Sequence, residues 1–142
     1  MFEQFIGSSE SRLIIDLLLA LLAGFIIGGE RELRGKPAGI STHTMVIVGA
    51  MLFTFLSSEV DPASKSRIAA QVVSGIGFLG AGLIIKEGSN VVNLTTAASL
   101  WVSGAIGMAL GFDFHLIAII VTLAVALIPR IPRIRKTNNK NE

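Results

Sequence analysis

Long apolar stretches separated by short polar connectors dominate the chain. Five such runs occur, at residues 13–29, 42–57, 69–85, 94–111 and 114–128. A helix that crosses the hydrocarbon core of a bilayer needs about 17 to 25 predominantly apolar residues. The runs are 15 to 18 residues long, so three reach the lower end of that range and two fall just short. The pattern predicts an all-α integral membrane protein, a compact bundle of about five short transmembrane helices within residues 1–128.

The third run, AAQVVSGIGFLGAGLII, contains glycines that resemble a dinucleotide-binding loop. Such a loop needs a preceding strand and an acidic residue about 20 positions further on, whereas these glycines lie inside an uncharged apolar run. Small residues in a membrane helix let neighbouring helices approach closely. We therefore expect this run to be the central helix, with its small residues against neighbours and a bulky stripe against lipid. The small residues include Gly75, Gly77, Gly80 and Gly82, and the stripe is Val72, Ile76, Leu79 and Leu83.

Two further runs carry small residues at every fourth position, which places them on one helical face. In the fourth run this seam is Thr95, Ser99, Ser103, Gly107 and Gly111, and in the first it is Ala20, Gly24 and Gly28. Asp16 lies one turn before the first seam and should point inward. A buried acid in a membrane helix is a functional candidate. A carboxylate that reaches water at the outer boundary is an equally good interpretation.

The partner expected for Asp16 is Arg67, since both lie near the outer ends of inward faces. Arg67, Gln71 and Ser74 follow at helical spacing, so a polar stripe is predicted to enter the bundle. This prediction depends on the third run being central.

Composition narrows the class of protein further. Hydrophobic residues make up 51% of the chain and charged residues 15%, which leaves little chain for a soluble domain. Cysteine is absent, which excludes disulfides and thiolate metal sites. The acidic start of the chain differs from a secretory signal, so we expect the first span to be retained. Neither a cofactor nor nucleic-acid binding is predicted.

The distribution of basic residues predicts the orientation, because positive residues are retained on the cytoplasmic side. With five spans, nine of the 12 Lys and Arg residues fall on the side of the C-terminus. The N-terminus is therefore predicted outside and the basic tail, residues 129–142, inside and disordered at its end. The fifth span is the least certain, because only Gly111, Phe112 and Asp113 separate it from the fourth. A re-entrant hairpin is the alternative there.

The polar residues between the spans resemble those of the MgtC/SapB family. The matching segments are GGERE at 28–32, KPAGISTH at 36–43, DPASKSRIAAQVVSGIGFLGAG at 61–82 and LTTAASLW at 94–101. The resemblance covers residues 13–128. Two positions depart from the family pattern, which usually has Arg at Ser41 and Gly at Asn93. We expect no counterpart in this sequence of the soluble C-terminal domain of longer members.

The resemblance implies a bacterial inner-membrane protein linked to growth in low magnesium, to virulence inside phagocytes and, in at least one member, to restraint of the F-type ATP synthase. It also implies a set of functional polar residues. These are Glu30, Arg31, Lys36, Thr42 and His43 inside, Asp61, Arg67 and Gln71 outside or just within the core, and Thr95 and Thr96 of the fourth span.

Each of these residues also has a simpler structural interpretation. Glu30 and Arg31 can pair with each other at the interface. His43 is more easily read as a hydrogen-bonded interfacial histidine than as a ligand or proton carrier. Asp61 precedes Pro62 and can cap the third helix as readily as bind a cation.

Two functions remain open from the sequence. No nucleophile and base or carboxylate pair at metal spacing occurs within a span, so neither an enzyme nor a metal site is predicted. The first function is a regulator that docks its small-residue seams against other membrane helices, as a homo-oligomer, preferably a dimer, or on a protein such as the ATP synthase. The second is an oligomeric magnesium or proton transporter or channel.

Overall fold

The computed structural model describes residues 9–131, which fold into a bundle of five α-helices. The predicted all-α membrane fold is confirmed. The basic residues from Arg133 onward, and the disorder predicted for the end of the tail, lie outside the described residues. The helices are α1 (Ser9–Leu33), α2 (Ile40–Val60), α3 (Ser66–Leu83), α4 (Leu94–Gly111) and α5 (His115–Leu127), with a 3-10 turn at Ile128–Arg130.

Four of the helices, α1 to α4, are long and apolar enough to cross a membrane. The fifth, α5, has only 13 residues. At 1.5 Å per residue it rises about 20 Å, against about 30 Å for the hydrocarbon core. Helix α5 is thus shorter than the bilayer core is thick. It is also the span that the sequence left least certain, because only a short connection precedes it.

A short β-hairpin interrupts the helices and was not predicted. Strands β1 (Ile85–Glu87) and β2 (Asn90–Val92) pair antiparallel, with Lys86 opposite Val91. Gly88 takes φ of 61° in the turn between them, a left-handed conformation that glycine adopts at little cost. The third apolar run therefore ends as a helix at Leu83, and its last residues enter a strand.

The two ends of the bundle are named here by their connections. The hairpin end carries the β-hairpin, the α1–α2 connection and the C-terminus of α5. The turn end carries the N-terminus of α1, the α2–α3 connection and the tight α4–α5 turn, in which Asp113 takes φ of 64°. Asn93 takes φ of 63° where α4 begins. Asparagine tolerates this left-handed conformation better than most residues, which accounts for its place where the resembled family usually has glycine.

The hydrophobic core lies between α1, α2, α4 and α5, so the prediction that the third span is central is wrong. Its main cluster contains Ala20 and Ile27 of α1, Ile47 and Met51 of α2, Ile106 and Leu110 of α4, and Ala118 and Val125 of α5. Helix α3 packs on one side of this core. A smaller cluster, made of Ala50, Val72 and Ile76, joins it to α2.

The predicted faces of α3 are wrong in part: Leu79 of the bulky stripe is exposed and Gly80 is buried as expected, but other positions differ. Val72 and Ile76, assigned to lipid, are buried, and the Ile76 side chain packs over Gly104 of α4. A methyl group at Gly80 would meet Ala97 at ordinary contact distance, whereas one at Gly75, Gly77 or Gly82 would meet no atom within 4 Å. These three glycines lie on the outside of the bundle.

The seams of α1 and α4 lie where the sequence places them. Ser99, Ser103, Gly107 and Gly111 are buried on one face of α4, although Thr95 at its start is exposed. At Gly107 an added Cβ would lie 2.7 Å from the Cβ of Ala50 and 2.9 Å from the backbone N of Met51. These residues are small because the α2 backbone passes directly over them.

Candidate functional site

Buried polar side chains gather at both ends of the bundle, and Arg31 organises the hairpin end. Its side chain is almost completely buried, with 3% of the residue exposed. The guanidinium donates through Nη2 to the carbonyl of Pro37 at 2.8 Å and to Oγ1 of Thr96 at 2.6 Å. Nε donates to the carbonyl of Ala38 at 3.1 Å. Arg31 thus ties α1 to the α1–α2 connection and to α4.

The predicted pairing of Glu30 with Arg31 is wrong, because each binds elsewhere. Glu30 is buried and accepts from Nη1 of Arg34, the residue that follows the end of α1, at 3.2 Å. Arg34 also donates to the carbonyl of Pro129, which fastens the end of α5 to α1. Glu32 accepts from the backbone N of Ile40 at 2.8 Å and so caps the start of α2.

His43 lies in the first turn of α2 and is fully buried rather than interfacial. Its Nδ1 is 2.8 Å from Oγ of Ser103, and that hydroxyl donates to the carbonyl of Ser99 at 3.0 Å. Since a serine hydroxyl carries one proton, Ser103 accepts from Nδ1–H of His43. Nε2 of His43 has no hydrogen-bond partner among residues 9–131.

The pair of His43 and Ser103 combines a base with a hydroxyl but is a poor site for nucleophilic catalysis. Both residues are 0% exposed, and the Ser103 proton is already committed to a backbone carbonyl. A nucleophile needs room for a substrate beside it. The contact is therefore an interhelical hydrogen bond between α2 and α4.

Three other residues implied by the family resemblance, Lys36, Thr42 and Thr95, are exposed at the hairpin end. They do not join the network around Arg31. Of the two threonines that open α4, only Thr96 points into the bundle and receives the Arg31 guanidinium. The structure thus separates a buried set, Glu30, Arg31, His43 and Thr96, from an exposed set at the same end.

At the turn end the partner of Asp16 is His115, so the predicted pairing with Arg67 is wrong. Asp16 is 1% exposed, and its Oδ1 lies 2.6 Å from Nε2 of His115, the first residue of α5. Arg67 instead pairs with Asp61 at 3.1 Å, and its side chain is 73% exposed. Gln71 and Ser74 are exposed as well, so the predicted polar stripe does not enter the bundle.

Asp61 does not cap α3 with its side chain as predicted. No side-chain hydrogen bond caps the start of that helix, and the Asp61 carboxylate is held by Arg67. Instead, Ser57 of α2 donates to the carbonyl of Lys65 at 2.6 Å. The α2–α3 connection is therefore fixed from the end of α2.

Asp113 and His115 belong to a cluster at the turn end that the sequence interpretation missed. Arg12 bridges two acids there, with Nη1 3.3 Å from Asp113 and Nη2 3.4 Å from Glu59. One carboxylate oxygen each from Asp16 and Asp113 and one ring nitrogen of His115 lie within 4.8 Å of one another. The tight α4–α5 turn could have indicated this cluster, because it lies at the same end of the bundle as the start of α1.

An open apolar groove of about 530 Å³ runs between α2 and α3. Met45, Gly49 and Phe53 of α2 form one wall, and Gln71, Gly75 and Leu79 of α3 form the other. Gly75 has no neighbour within 4 Å of an added Cβ, so the groove floor is smooth there. The groove and the two further α3 positions at which an added Cβ meets no atom within 4 Å, Gly77 and Gly82, are together called here the α3 face.

The helical bundle and its buried polar contacts define a multi-pass membrane protein whose ionisable groups lie at the helix ends. Its family follows from the sequence comparison: the MgtC family profile matches residues 17–135, and the chain belongs to the MgtC family. No solved structure matches the chain significantly.

Curated relatives agree with this assignment. The chain is 48% identical over 120 residues to Protein MgtC of Salmonella typhimurium, covering 82% of this chain and 52% of that protein. It is 47% identical over 115 residues to Protein MgtC of Brucella abortus, covering 80% of this chain and 48% of that protein. The chain therefore spans about half the length of the curated relatives it matches.

Proposed function

We propose that this protein is a non-enzymatic membrane regulator that acts through helix–helix contacts, with the α3 face as its docking surface and a second copy of the chain as its first partner. One observation carries the proposal: Gly75, Gly77 and Gly82 face outward with no atom within 4 Å of an added Cβ. Small residues favour helix association in lipid because they permit close backbone approach. The glycines of α4 serve that purpose inside the chain, and Gly75, Gly77 and Gly82 of α3 remain available for another chain.

The absence of cysteine from the sequence makes site-directed crosslinking a direct test. Val73→Cys and Phe78→Cys place single thiols on exposed positions of α3, and Leu18→Cys and Ile120→Cys place them on exposed positions of α1 and α5. We expect oxidation in native membranes to give disulfide dimers from the α3 thiols and few from the controls. Equal dimer yields at all four positions would contradict docking through α3.

Enlarging a glycine of the α3 face provides a second test. Gly75→Leu should lower the dimer fraction in mild detergent and leave the helical content unchanged, since an added Cβ meets no atom of its own chain within 4 Å and the groove has room for the rest of the side chain. Ala124→Leu enlarges an exposed small residue on α5 and is the matched control. A dimer fraction that responds equally to both changes would count against the proposal.

The regulator would act on a larger partner through the same face. As the family resemblance implies, we propose the F-type ATP synthase as that partner and magnesium limitation as the setting. ATP-driven proton pumping in inverted membrane vesicles tests this, since expression of the chain should lower pumping and Gly75→Leu should restore it. Unchanged pumping at high expression would exclude this partner without affecting the crosslinking result.

We also propose that the hairpin end faces the cytoplasm of a bacterial inner membrane. The basic residues described at this end are Arg31, Arg34, Lys36, Lys86 and Arg130, against Arg12, Lys65 and Arg67 at the turn end. This excess follows the positive-inside rule. A thiol at Ser89 in the hairpin should react with an impermeant maleimide only after the cells are opened, and a thiol at Ala63 should react in intact cells.

In the transporter alternative, Asp16, Arg67, Gln71 and Ser74 line a path formed by several assembled subunits. Within one chain they do not share a face, because Arg67, Gln71 and Ser74 are exposed on α3 whereas Asp16 is buried and binds His115. Proteoliposome flux remains the deciding experiment. A magnesium or proton flux that Asp16→Ala abolishes would replace the regulator proposal.

A further inference from the structure

The cluster at the turn end contains a buried carboxylate that lacks a permanent cationic partner. Asp16 is 1% exposed, and among residues 9–131 its ion pair is with His115, whose charge depends on protonation. The nearby Arg12 contacts Asp113 and Glu59 instead. A buried carboxylate is costly unless its partner is charged, and His115 is charged only when protonated, so this position favours a second positive group.

We propose that Asp16, Asp113 and His115 bind a divalent transition-metal ion of the Zn²⁺ class at the turn end. Their three donor atoms, two carboxylate oxygens and one imidazole nitrogen, lie within 4.8 Å of one another. In a tetrahedral zinc site with bonds of about 2.1 Å, ligand atoms are about 3.4 Å apart. Side-chain shifts of about an ångström would bring these atoms to that spacing. The ion would replace the proton in the 2.6 Å contact between Asp16 Oδ1 and His115 Nε2, and that proton would leave to solvent.

The donor set selects the class of metal. Imidazole suits zinc and its neighbours, whereas magnesium prefers oxygen ligands and retains several waters. Three protein ligands leave one tetrahedral position for water, and the His115 and Asp113 side chains are 39% and 51% exposed. An ion could therefore enter from the solvent at this end without opening the helical core.

The local charge also favours a cation. Asp16, Asp113 and Glu59 contribute three negative charges against one from Arg12 within the cluster. Arg12 is the competitor, since it holds Asp113 at 3.3 Å and would repel an incoming ion. Removing a ligand should therefore weaken metal binding, whereas removing Arg12 should strengthen it.

The donors come from two segments 97 positions apart, with Asp16 in α1 and Asp113 and His115 at the α4–α5 turn. A search for metal spacing within a single span therefore misses them. The site is also distinct from the α3 face, so its failure would leave the proposed helix docking unaffected.

Calorimetric titration of the purified full chain with Zn²⁺ tests the proposal. We expect one saturable site per chain, with affinity reduced at least about tenfold by His115→Gln and by Asp113→Asn. Asp61→Asn removes an acid at the same end that lies outside the cluster and should leave affinity unchanged. Zn²⁺ should raise the unfolding temperature of the wild type but not of His115→Gln, since an ion that binds only the folded state stabilises it.

Arg12→Gln provides the sharper test, because it should tighten Zn²⁺ binding several-fold, whereas a general loss of structure would weaken it. No saturable binding by the wild type would overturn the proposal, as would equal binding by His115→Gln. A Mg²⁺ titration that matches Zn²⁺ in affinity and survives His115→Gln would also overturn it, by showing an oxygen-only site.

Discussion

Helices α3 and α4 both contain several glycines, but the two sets lie in opposite environments. A methyl group at Gly104, Gly107 or Gly111 of α4 would lie closer than 3.0 Å to a neighbouring helix, whereas one at Gly75, Gly77 or Gly82 of α3 would meet no atom within 4 Å. The same residue type thus closes the core in one helix and leaves an open surface in the other. Small residues show where a helix can be approached, but they do not identify the approaching helix.

The polar residues repeat this contrast. Arg31, Thr96, His43 and Ser103 bind one another or the backbone within the α1, α2 and α4 packing, whereas Arg67 and Gln71 of α3 lie at the surface. Stability should therefore depend mainly on α1, α2 and α4 and on the buried side of α3, and association on the outward side of α3. Paired substitutions, one in each region, test this division.

The largest difference is expected between Gly107→Ala and Gly77→Ala. The Gly107 methyl would overlap the α2 backbone at Met51 and the Ala50 side chain, which forces α2 and α4 apart. Overpacking of this kind costs about 3 kcal/mol. Gly77→Ala meets open space and should be neutral or slightly stabilising, because alanine is the better helix former. Denaturant unfolding in detergent, followed by circular dichroism, measures both, and equal losses would refute the division.

A slightly smaller difference should separate Arg31→Met from Arg67→Met. Without its guanidinium, the position leaves the carbonyls of Pro37 and Ala38 and the hydroxyl of Thr96 without their donor. An unsatisfied buried group costs about 1–3 kcal/mol. The Thr96 contact is buried and the two carbonyl contacts are partly buried, so we expect a total loss of about 3 kcal/mol in the same unfolding assay. Arg67 forms an exposed pair worth at most about 1 kcal/mol. A tolerated Arg31→Met would show that the hairpin end is held mainly by apolar contacts.

The packing of α3 is tested by Ile76→Ala against Phe78→Ala. Ile76 is 8% exposed and packs over Gly104, whereas Phe78 is 80% exposed. Truncating a buried isoleucine costs about 2–5 kcal/mol, and the peripheral position of α3 places Ile76 near 2 kcal/mol. Phe78→Ala should leave unfolding unchanged but reduce dimer formation. If Phe78→Ala destabilised the protein more than Ile76→Ala, the result would instead support the prediction that the bulky stripe faces lipid.

Much of this contrast could be predicted from the sequence, but the sequence did not show which side of α3 is buried and which is exposed. The bounds of α4, its buried seam and the inward position of Asp16 follow from run length and fourfold spacing. The faces of α3 do not, because lipid tails are as apolar as a leucine side chain and a bulky stripe suits either environment. The sequence did not predict His115 as the partner of Asp16 for another reason: only the path of the chain through the α4–α5 turn brings the two residues together.

The smallest difference should separate Ser103→Ala from Ser74→Ala, two serines in glycine-containing helices. Ser103 is fully buried and accepts from His43, whereas Ser74 is exposed. Ser103→Ala removes the acceptor of Nδ1 on a ring whose Nε2 has no partner among residues 9–131. One lost buried acceptor costs about 1–3 kcal/mol, and we expect about 1 kcal/mol, since the smaller side chain leaves room for the ring to shift. The same unfolding assay should show no change for Ser74→Ala, and a neutral Ser103→Ala would mean that the His43 ring finds another partner within the bundle.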